Sequence, residues 1–378
     1  MKKLILTISL VFICTGCFNY KELNAYAIAT GMAIDRYNNN YEVSVLISNL
    51  PKSSNTQGGK DYKTIVYSGK GKTIYEAIKQ IGLISPKELY IGHLSVLLIS
   101  EDVAKEGINP TLEFLLEESR SKKNFQVAIA KDSKAKDLLS ITSPLTDFPS
   151  QNLATNLKSS TELQGSVSAT DFNTVLYKLI NNGIDLTLNG FHVERNNSKE
   201  CVKLSPLSIF KRDKLITWAT DNESKGINII NNNIEELYLN IKCDDGYIVI
   251  NTEDLYTEKH INKNGNMTIK TKGKTSITEI TCDIDLKKQD NINKLEKKIE
   301  NRIKKLEFEA INLSKKYSSD IFGIGLLYYE NYPKKYNSIK DFNKFYKNTK
   351  FNIKNDIKIN TTGSIKQTLE RIENEENN

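Results

Sequence analysis

Hydrophobic and polar positions alternate along this chain on two periods. Tyr26 to Ile34 and Tyr41 to Ser48 are apolar runs of strand length, and the segment between them ends in Asn38-Asn39-Asn40. Asparagine tolerates left-handed backbone, so the pair predicts a hairpin. Leu50 to Asp61 is polar, carries Pro51, Gly58 and Gly59, and reads as a loop. A third strand is expected over Tyr62 to Ser68. Gly69-Lys70-Gly71-Lys72 then leads into a helix, with Thr73 and Glu76 at capping-box spacing and Ile74, Ala77, Ile78 and Ile81 on one face. Leu94 to Ile99 is a compact buried strand. Asn109-Pro110 opens a second helix through Leu112, Leu115 and Leu116. Phe125 to Ala130 is a further strand and Ser133 to Leu139 a short helix. Strands alternating with helices over Tyr26 to Ile141 predict a mixed sheet with helices packed on it.

The middle of the chain is less patterned. Ser143 to Ser168 is rich in Ser and Thr, contains Pro144 and Pro149, and reads as a surface excursion. Asp171 to Ile180 has helical spacing, and Phe210 to Leu215 reads as two strand ends joined by a tight charged turn. Further on, Leu237, Leu239, Ile241 and Cys243 alternate, Asp245-Gly246 supplies a hairpin turn, and Tyr247 and Val249 continue the alternation. Met267-Ile269 and Ile280-Cys282-Ile284 add two strand segments. A long helix is predicted from Asn291 to Tyr317, with Ile292, Leu295, Ile299, Ile303, Leu306, Ala310, Leu313 and Tyr317 in one stripe. The stripe suits a coiled-coil seam or a sheet-facing helix. Downstream, Phe351, Ile353, Ile357 and Ile359 alternate and need a cover, which favours a helix laid on an antiparallel sheet.

The predicted fold class is therefore α+β: a multi-domain ectodomain of mixed or antiparallel sheets with packed helices, including a long C-terminal amphipathic helix on an antiparallel sheet. The expected divisions are a lipoprotein signal peptide at 1–16, N-terminal α/β domain or domains at 17–190, and a connecting region at 191–222. A C-terminal α+β domain at 223–370 and a disordered tail at 371–378 complete the division.

The first residues change the picture. Lys2 and Lys3, an eleven-residue apolar run from Leu4 to Cys14, and the small pair Thr15-Gly16 describe an export signal. The run is too short to cross a hydrocarbon core, which takes roughly 17 or more apolar residues. Cys14-Thr15-Gly16-Cys17 resembles a bacterial lipobox, with Cys14 where that pattern prefers Leu. In a lipobox the cysteine thiol receives a diacylglycerol and the residue becomes the acylated N-terminus, which makes Cys17 the candidate lipid-attachment site. The plainer alternative is a cleaved signal with an incidental cysteine. Two acyl chains suffice for stable anchoring, so the chain from Cys17 onward is expected on the outer face of a membrane.

With Lys2 and Lys3 removed from the 53 basic residues, 51 face 46 acidic ones, an excess that does not predict nucleic-acid binding. Cys201, Cys243 and Cys282 have no Cys-x-x-Cys spacing, so neither zinc nor a disulfide framework is indicated. Cys243 and Cys282 fall in strand-like stretches that could pair; buried free thiols are the preferred reading. Gly71-Lys72-Thr73 lies between a strand and a helix, but position 66 is Val where a phosphate-binding loop needs glycine. His93, His192 and His260 are isolated, and each reads as a structural or surface histidine. Asp283 and Asp285 straddle one strand position and read as a solvated strand end. No catalytic constellation, cofactor motif or metal-ligand spacing stands out.

Several stretches then combine. Glu22-Leu23-Asn24 follows Cys17; Gly31-Met32-Ala33-Ile34-Asp35 enters the first hairpin; Gly71-Lys72-Thr73-Ile74-Tyr75-Glu76-Ala77-Ile78 opens the first helix; Ile91-Gly92-His93 precedes the buried strand. Asp320-Ile321-Phe322-Gly323-Ile324-Gly325 and Tyr332-Pro333-Lys334 come after the long helix. In this order behind a lipobox, they resemble the Ger(x)C family of spore germination lipoproteins, the Asp-Ile-Phe-Gly segment being the most specific part. Phe18 stands where the family usually has Trp, Asn343 to Tyr346 lacks another Trp, and Glu117 to Arg120 matches its segment loosely. The resemblance implies three α+β domains and a lipid-anchored third subunit of a germinant receptor, beside two integral membrane subunits at the spore inner membrane. It implies no catalytic residues and no cofactor, and neither nucleic acid nor a directly bound small molecule is expected as a partner. The alternative is a lipid-anchored solute-binding protein that captures a nutrient itself, for which two α/β lobes around a cleft would be expected.

Overall fold

Asn38 adopts a left-handed φ of 54° and turns β1 (Tyr26–Tyr37) into β2 (Asn40–Ser48), the hairpin that the asparagine cluster predicts. The computed structural model describes residues 25–48, 64–118, 122–142, 148–196 and 199–361. The expected signal peptide, Cys17, the Leu50 to Asp61 loop and the 371–378 tail lie outside the described residues. After β3 (Thr64–Gly71), Thr73 caps α1 (Ile74–Gly82) by accepting the Glu76 amide at 3.1 Å. The Glu76 carboxylate accepts the Lys72 amide in return, at 2.8 Å. The Gly-Lys-Thr segment is thus spent on a helix cap.

The chain continues through β4 (Glu88–Tyr90), β5 (Val96–Ser100), α2 (Glu101–Glu106), α3 (Asn109–Glu117), β6 (Gln126–Ala130) and α4 (Ala135–Ser140). Next come α5 (Pro149–Gln164), α6 (Phe172–Ile180), β7 (Thr187–Asn196), β8 (Lys199–Lys211) and β9 (Lys214–Trp218). These strands form one sheet in the order β3-β2-β1-β5-β6-β7-β8-β9, with β4 paired to the start of β1. β1, β5, β6 and β7 are mutually parallel, and hairpins extend both sides. The central strands are buried on both faces. Met32, Ile34, Leu97 and Ile99 meet α1, α2, α3 and α6, whereas Ala33, Val96, Leu98 and Ala128 meet α4 and α5. Pro206, which has no amide hydrogen, sits where β8 skips a residue opposite Asn189 and Gly190, so no ladder bond is lost.

Two sequence expectations fail in this half. The surface excursion over Ser143 to Ser168 contains the sixteen-residue helix α5, whose Leu153, Ala154 and Leu157 are buried. Ser, Thr and Asn dilute its pattern, and burial against the sheet supplies what intrinsic propensity does not. The stretch 191–222, taken as a connection, carries most of β7 through β9 and completes the first sheet.

The helix α7 (Asp221–Asn231), unannounced by the periodicity, opens with a complete capping box between Thr220 and Glu223. A second sheet follows from β10 (Leu237–Lys242), β11 (Tyr247–Ile261), β12 (Met267–Ile280) and β13 (Phe351–Thr361), in that order. Between β12 and β13 lie α8 (Gln289–Tyr317), α9 (Ile324–Asn331), α10 (Pro333–Tyr336) and α11 (Phe342–Asn348). The sheet is mixed, not antiparallel throughout: β13 runs parallel to β12, with Met267 opposite Phe351. A helical crossover returns the chain to the end of the sheet where β12 began, and that geometry sets a parallel pair.

α8 lies on this sheet, as its stripe predicts. Leu295, Ile299, Ile303 and Leu306 are buried in one cluster with Leu239, Ile250, Ile277 and Ile357, which leaves no seam for a coiled coil. Glu300 and Glu296 on α8 accept the amides of Ile357 at 3.2 Å and Ile359 at 3.0 Å, so helix side chains cover the free edge of β13. Gly226 brings α7 against α8, since a β-carbon there would lie 2.0 Å from the Leu306 carbonyl oxygen.

Cys243 and Cys282 form a disulfide with Cα atoms 6.4 Å apart, which corrects the free-thiol reading; Cys201 is the free cysteine among the described residues. The β10–β11 hairpin and the pairing of Ile248 with Ile280 bring residues 39 apart in sequence into range. Trp218 packs on the first core, its ring against Gly190.

Leu306→Asp places an unpaired carboxylate mid-helix in a fully buried position, at a cost of several kcal/mol. Urea denaturation of the full chain is expected to show a large loss of midpoint, with no compensating change in self-association by sedimentation. Glu307 supplies a second check. It is wholly buried, accepts Thr271 Oγ1 at 2.5 Å and Asn355 Nδ2 at 2.9 Å, and is pushed up to about 7 by burial, those two hydrogen bonds opposing the shift. With the folded value above the unfolded one, its stabilisation is complete below about pH 4.5 and lost as pH rises towards 7, by up to ~1.4 kcal/mol per unit. Thermal unfolding of Glu307→Gln is expected to show a flatter stability profile across that window than wild type.

Candidate functional site

The segment singled out near the C-terminus, Asp320 to Gly325, lies at the junction between the two sheets. Ile321, Phe322 and Ile324 are buried in a cluster that also takes Leu207 and Ile209 of β8, so this core belongs to both halves of the chain. Gly323 takes a left-handed φ of 69° and turns the chain into α9. The Asp320 carboxylate accepts the amides of Ile324 at 2.9 Å and Gly325 at 2.6 Å, capping that helix from a fully buried position.

Across the junction stands Asp185, in the loop between α6 and β7. Its carboxylate accepts the Asp320 amide at 2.7 Å, the Arg212 amide at 2.8 Å and the Lys211 ammonium at 3.0 Å. The Asp185 amide donates back to the Asp320 carbonyl at 2.8 Å. Lys211 also donates to the Ser318 carbonyl at 2.6 Å, and Ser319 Oγ to the Phe210 carbonyl at 2.5 Å. The backbones touch as well. Leu326 donates to the Gly183 carbonyl at 2.9 Å, and a β-carbon on Gly325 would lie 2.7 Å from the Gly183 Cα. Gly183, at φ 81°, and Gly325 are therefore a matched pair in which neither position has room for a side chain.

Charge is concentrated here. Burial pushes the Asp320 carboxyl up to about 7; its two amide donors pull the other way and the neighbouring Asp185 adds to the rise. Lys178 of α6 is pushed down to about 8, chiefly by burial and then by the Lys259 charge. Lys259 of β11 is itself held below its usual value by burial, with Asp320 opposing, and donates to the Phe322 carbonyl at 2.9 Å. α7 adds amide fasteners. Asn228 donates to the carbonyls of Gly165 at 2.9 Å and Val167 at 3.1 Å, and Asn231 donates to that of Ile321 at 2.9 Å. These residues form a structural clasp in which Asp185, Lys211, Ser319, Lys259 and the Asn228 and Asn231 amide groups bond to partners from other elements.

The other residues considered from sequence are dispersed. His192 bonds Ser205 Oγ at 2.7 Å, exposed His260 lies 3.4 Å from Glu258, and exposed His93 packs edge-on against Tyr90. Asp285 caps the turn before α8 through the Lys287 amide at 2.9 Å. Among the described residues no group of three or more His, Cys, Asp or Glu is arranged to hold a metal ion. Also among them, no helix is long and apolar enough to cross a membrane. Asp185, Lys178 and Lys259 were not singled out from the sequence; the one available signal was an acid between apolar neighbours in Ile184-Asp185-Leu186.

Comparison with known proteins decides the family. Residues 19–193 match the family model described as "Spore germination protein N-terminal domain", and residues 205–363 match "Spore germination B3/ GerAC like, C-terminal". The chain belongs to the Ger(x)C family of spore germination proteins. Spore germination protein KC of Bacillus subtilis (strain 168) is 24% identical over 356 residues, 88% of each chain. Spore germination protein B3 of the same organism is 24% identical over 121 residues, 32% of each chain. The solved structure titled "Crystal Structure of the GerBC protein" shares the fold, with a TM-score of 0.55 at 18% identity over 90% of this chain and 100% of that one. The second family match begins inside β8, so strands of the C-terminal match complete the sheet of the N-terminal one. In this Ger(x)C chain the two family regions share a sheet, a core and the clasp.

Removing the Asp185 carboxylate leaves the Lys211 ammonium with the Ser318 carbonyl alone, strands the buried Asp320 amide and frees the part-buried Arg212 amide, a loss of up to about 3–5 kcal/mol. Asp185→Ala is expected to lower the urea midpoint and to open protease cleavage around residues 211–223 before either sheet is digested. Limited proteolysis with mass mapping reads both.

Proposed function

We propose that this chain is the lipid-anchored, non-enzymatic subunit of a spore germinant receptor, working beside two integral membrane subunits in nutrient-triggered germination. The single observation that carries the reading is the lipobox cysteine Cys17 standing directly ahead of the two family regions, which begin at residue 19. A protein held by a diacylglycerol needs no membrane-crossing helix of its own, and two acyl chains give lasting attachment. The site described above suits a scaffold role. Its buried charges meet one another and the backbone, so they hold two sheets in fixed relation instead of presenting reactive groups to solvent.

Cys17→Ala is expected to release the protein from spore membranes or leave it unprocessed, and to weaken germination. Mass spectrometry of the mature N-terminus, with partner identification after co-purification in detergent, tests anchor and assembly separately. An unmodified Cys17 removes the anchor; an anchored protein that brings down no integral membrane subunit removes the receptor role.

A further inference from the structure

Leu83, just past the end of α1, is 80% exposed, the most open large apolar side chain among the described residues, and Ile84 beside it is 58% exposed. The turn that carries them is complete without a partner. The amides of Leu83, Ile84 and Ser85 donate to the carbonyls of Gln80 at 3.1 Å, Ile81 at 3.0 Å and Ile81 at 2.9 Å, and Ser85 Oγ donates to the Lys87 carbonyl at 2.7 Å. The backbone is thus already satisfied, and the two apolar side chains project from a turn with little polar demand. Tyr75, also exposed, and Lys79 precede Leu83 at steps of four on the same helix face, with Lys79 Nζ 5.1 Å from the Tyr75 ring centroid. Lys87 is exposed just beyond, with Glu76 and Glu88 as acidic neighbours.

The position of this turn identifies its partner. Glu88, five residues after Leu83, pairs with Tyr26 at the start of β1, and the Tyr26 and Tyr90 rings lie 5.4 Å apart. Five residues span at most about 18 Å. Cys17 precedes Ala25, the first described residue, by eight positions, a tether of at most about 28 Å. The apolar turn and the tether's point of entry therefore share one end of the first sheet.

We propose that the Leu83-Ile84 turn inserts into the outer leaflet of the bilayer that holds Cys17, with Tyr75 at the interface and Lys79 and Lys87 near anionic headgroups. The chemistry is that of an amphipathic contact: apolar tips below the headgroups, an aromatic at their level and long basic side chains reaching out to phosphate. A diacylglycerol alone leaves the body free to swivel on its tether. A second contact beside it fixes which end of the first sheet faces the membrane. The inference rests on the Cys17 anchor proposed above.

The test uses full-length lipidated protein in vesicles of phosphatidylcholine and phosphatidylglycerol. Leu83→Trp is read as the difference from wild-type emission, in which Trp218 is the sole tryptophan. Insertion is expected to shift that difference emission to the blue in any of these vesicles, and lipids brominated along the acyl chain are expected to quench it at least about twofold. Tyr329→Trp, at an exposed position on α9, is expected to stay unquenched, and adding Ile84→Ser to Leu83→Trp is expected to weaken the quenching. If Leu83→Trp is quenched no more than Tyr329→Trp while mass spectrometry confirms lipid on Cys17, the insertion is overturned and the anchor stands. A turn that meets a protein partner instead gives that same result in protein-free vesicles. If Cys17 carries no lipid and the protein does not float with the vesicles, the anchor reading fails first and takes this inference with it.

Discussion

A carboxylate without water must be met by donors from the protein, and at Asp185 those donors come from two stretches of chain far apart in sequence. Lys211 and Arg212 arrive from the β8–β9 turn, and the Asp320 amide arrives from the far side of the long helix. Because an unmet buried charge is so costly, this one group ties the placement of the β8–β9 turn to that of α9. Asp320 extends the same constraint by capping α9, and the Gly183–Gly325 contact brings the backbones close enough for the bonds to form. The clasp thus works through satisfied geometry more than through net charge.

α8 is the second organising element. One face covers the hydrophobic side of the second sheet, while Glu296 and Glu300 reach the outer edge of β13 and occupy amides that another strand would otherwise pair with. Its back meets α7 at Gly226, and α7 in turn donates through Asn228 to the loop after α5. Packing therefore runs without interruption from the second sheet through two helices to the first.

Polar groups inside this body are placed where two elements meet. Glu307 faces Thr271 and Asn355 between helix and sheet, and Asn232 exchanges hydrogen bonds with the Thr257 backbone, donating to its carbonyl at 2.8 Å and accepting its amide at 2.6 Å. Apolar packing alone allows neighbouring elements to slide; a buried hydrogen bond that is costly to leave unmade fixes their register.

Local pattern determined much of this protein. The Asn38 hairpin, the Thr73 cap, the stripe on α8 and the strands at Leu237 to Val249 were legible because each depends on residues a few positions apart, where periodicity and capping chemistry act. The Cys14 to Cys17 stretch and the Asp320 to Gly325 segment likewise pointed to the family by residues in order along the chain. What the tertiary structure alone decided involves partners far apart in sequence. α5 is helical because a sheet covers Leu153 and Leu157, the Cys243–Cys282 bond exists because three strands align, and β13 is parallel because a helical crossover precedes it. Asp185 carries no local signature beyond an acid between two apolar residues, and its role appears only when Lys211 and Asp320 are brought to it. The free energy of a buried charge depends on what surrounds it in space, and the order of residues along the chain does not specify those surroundings.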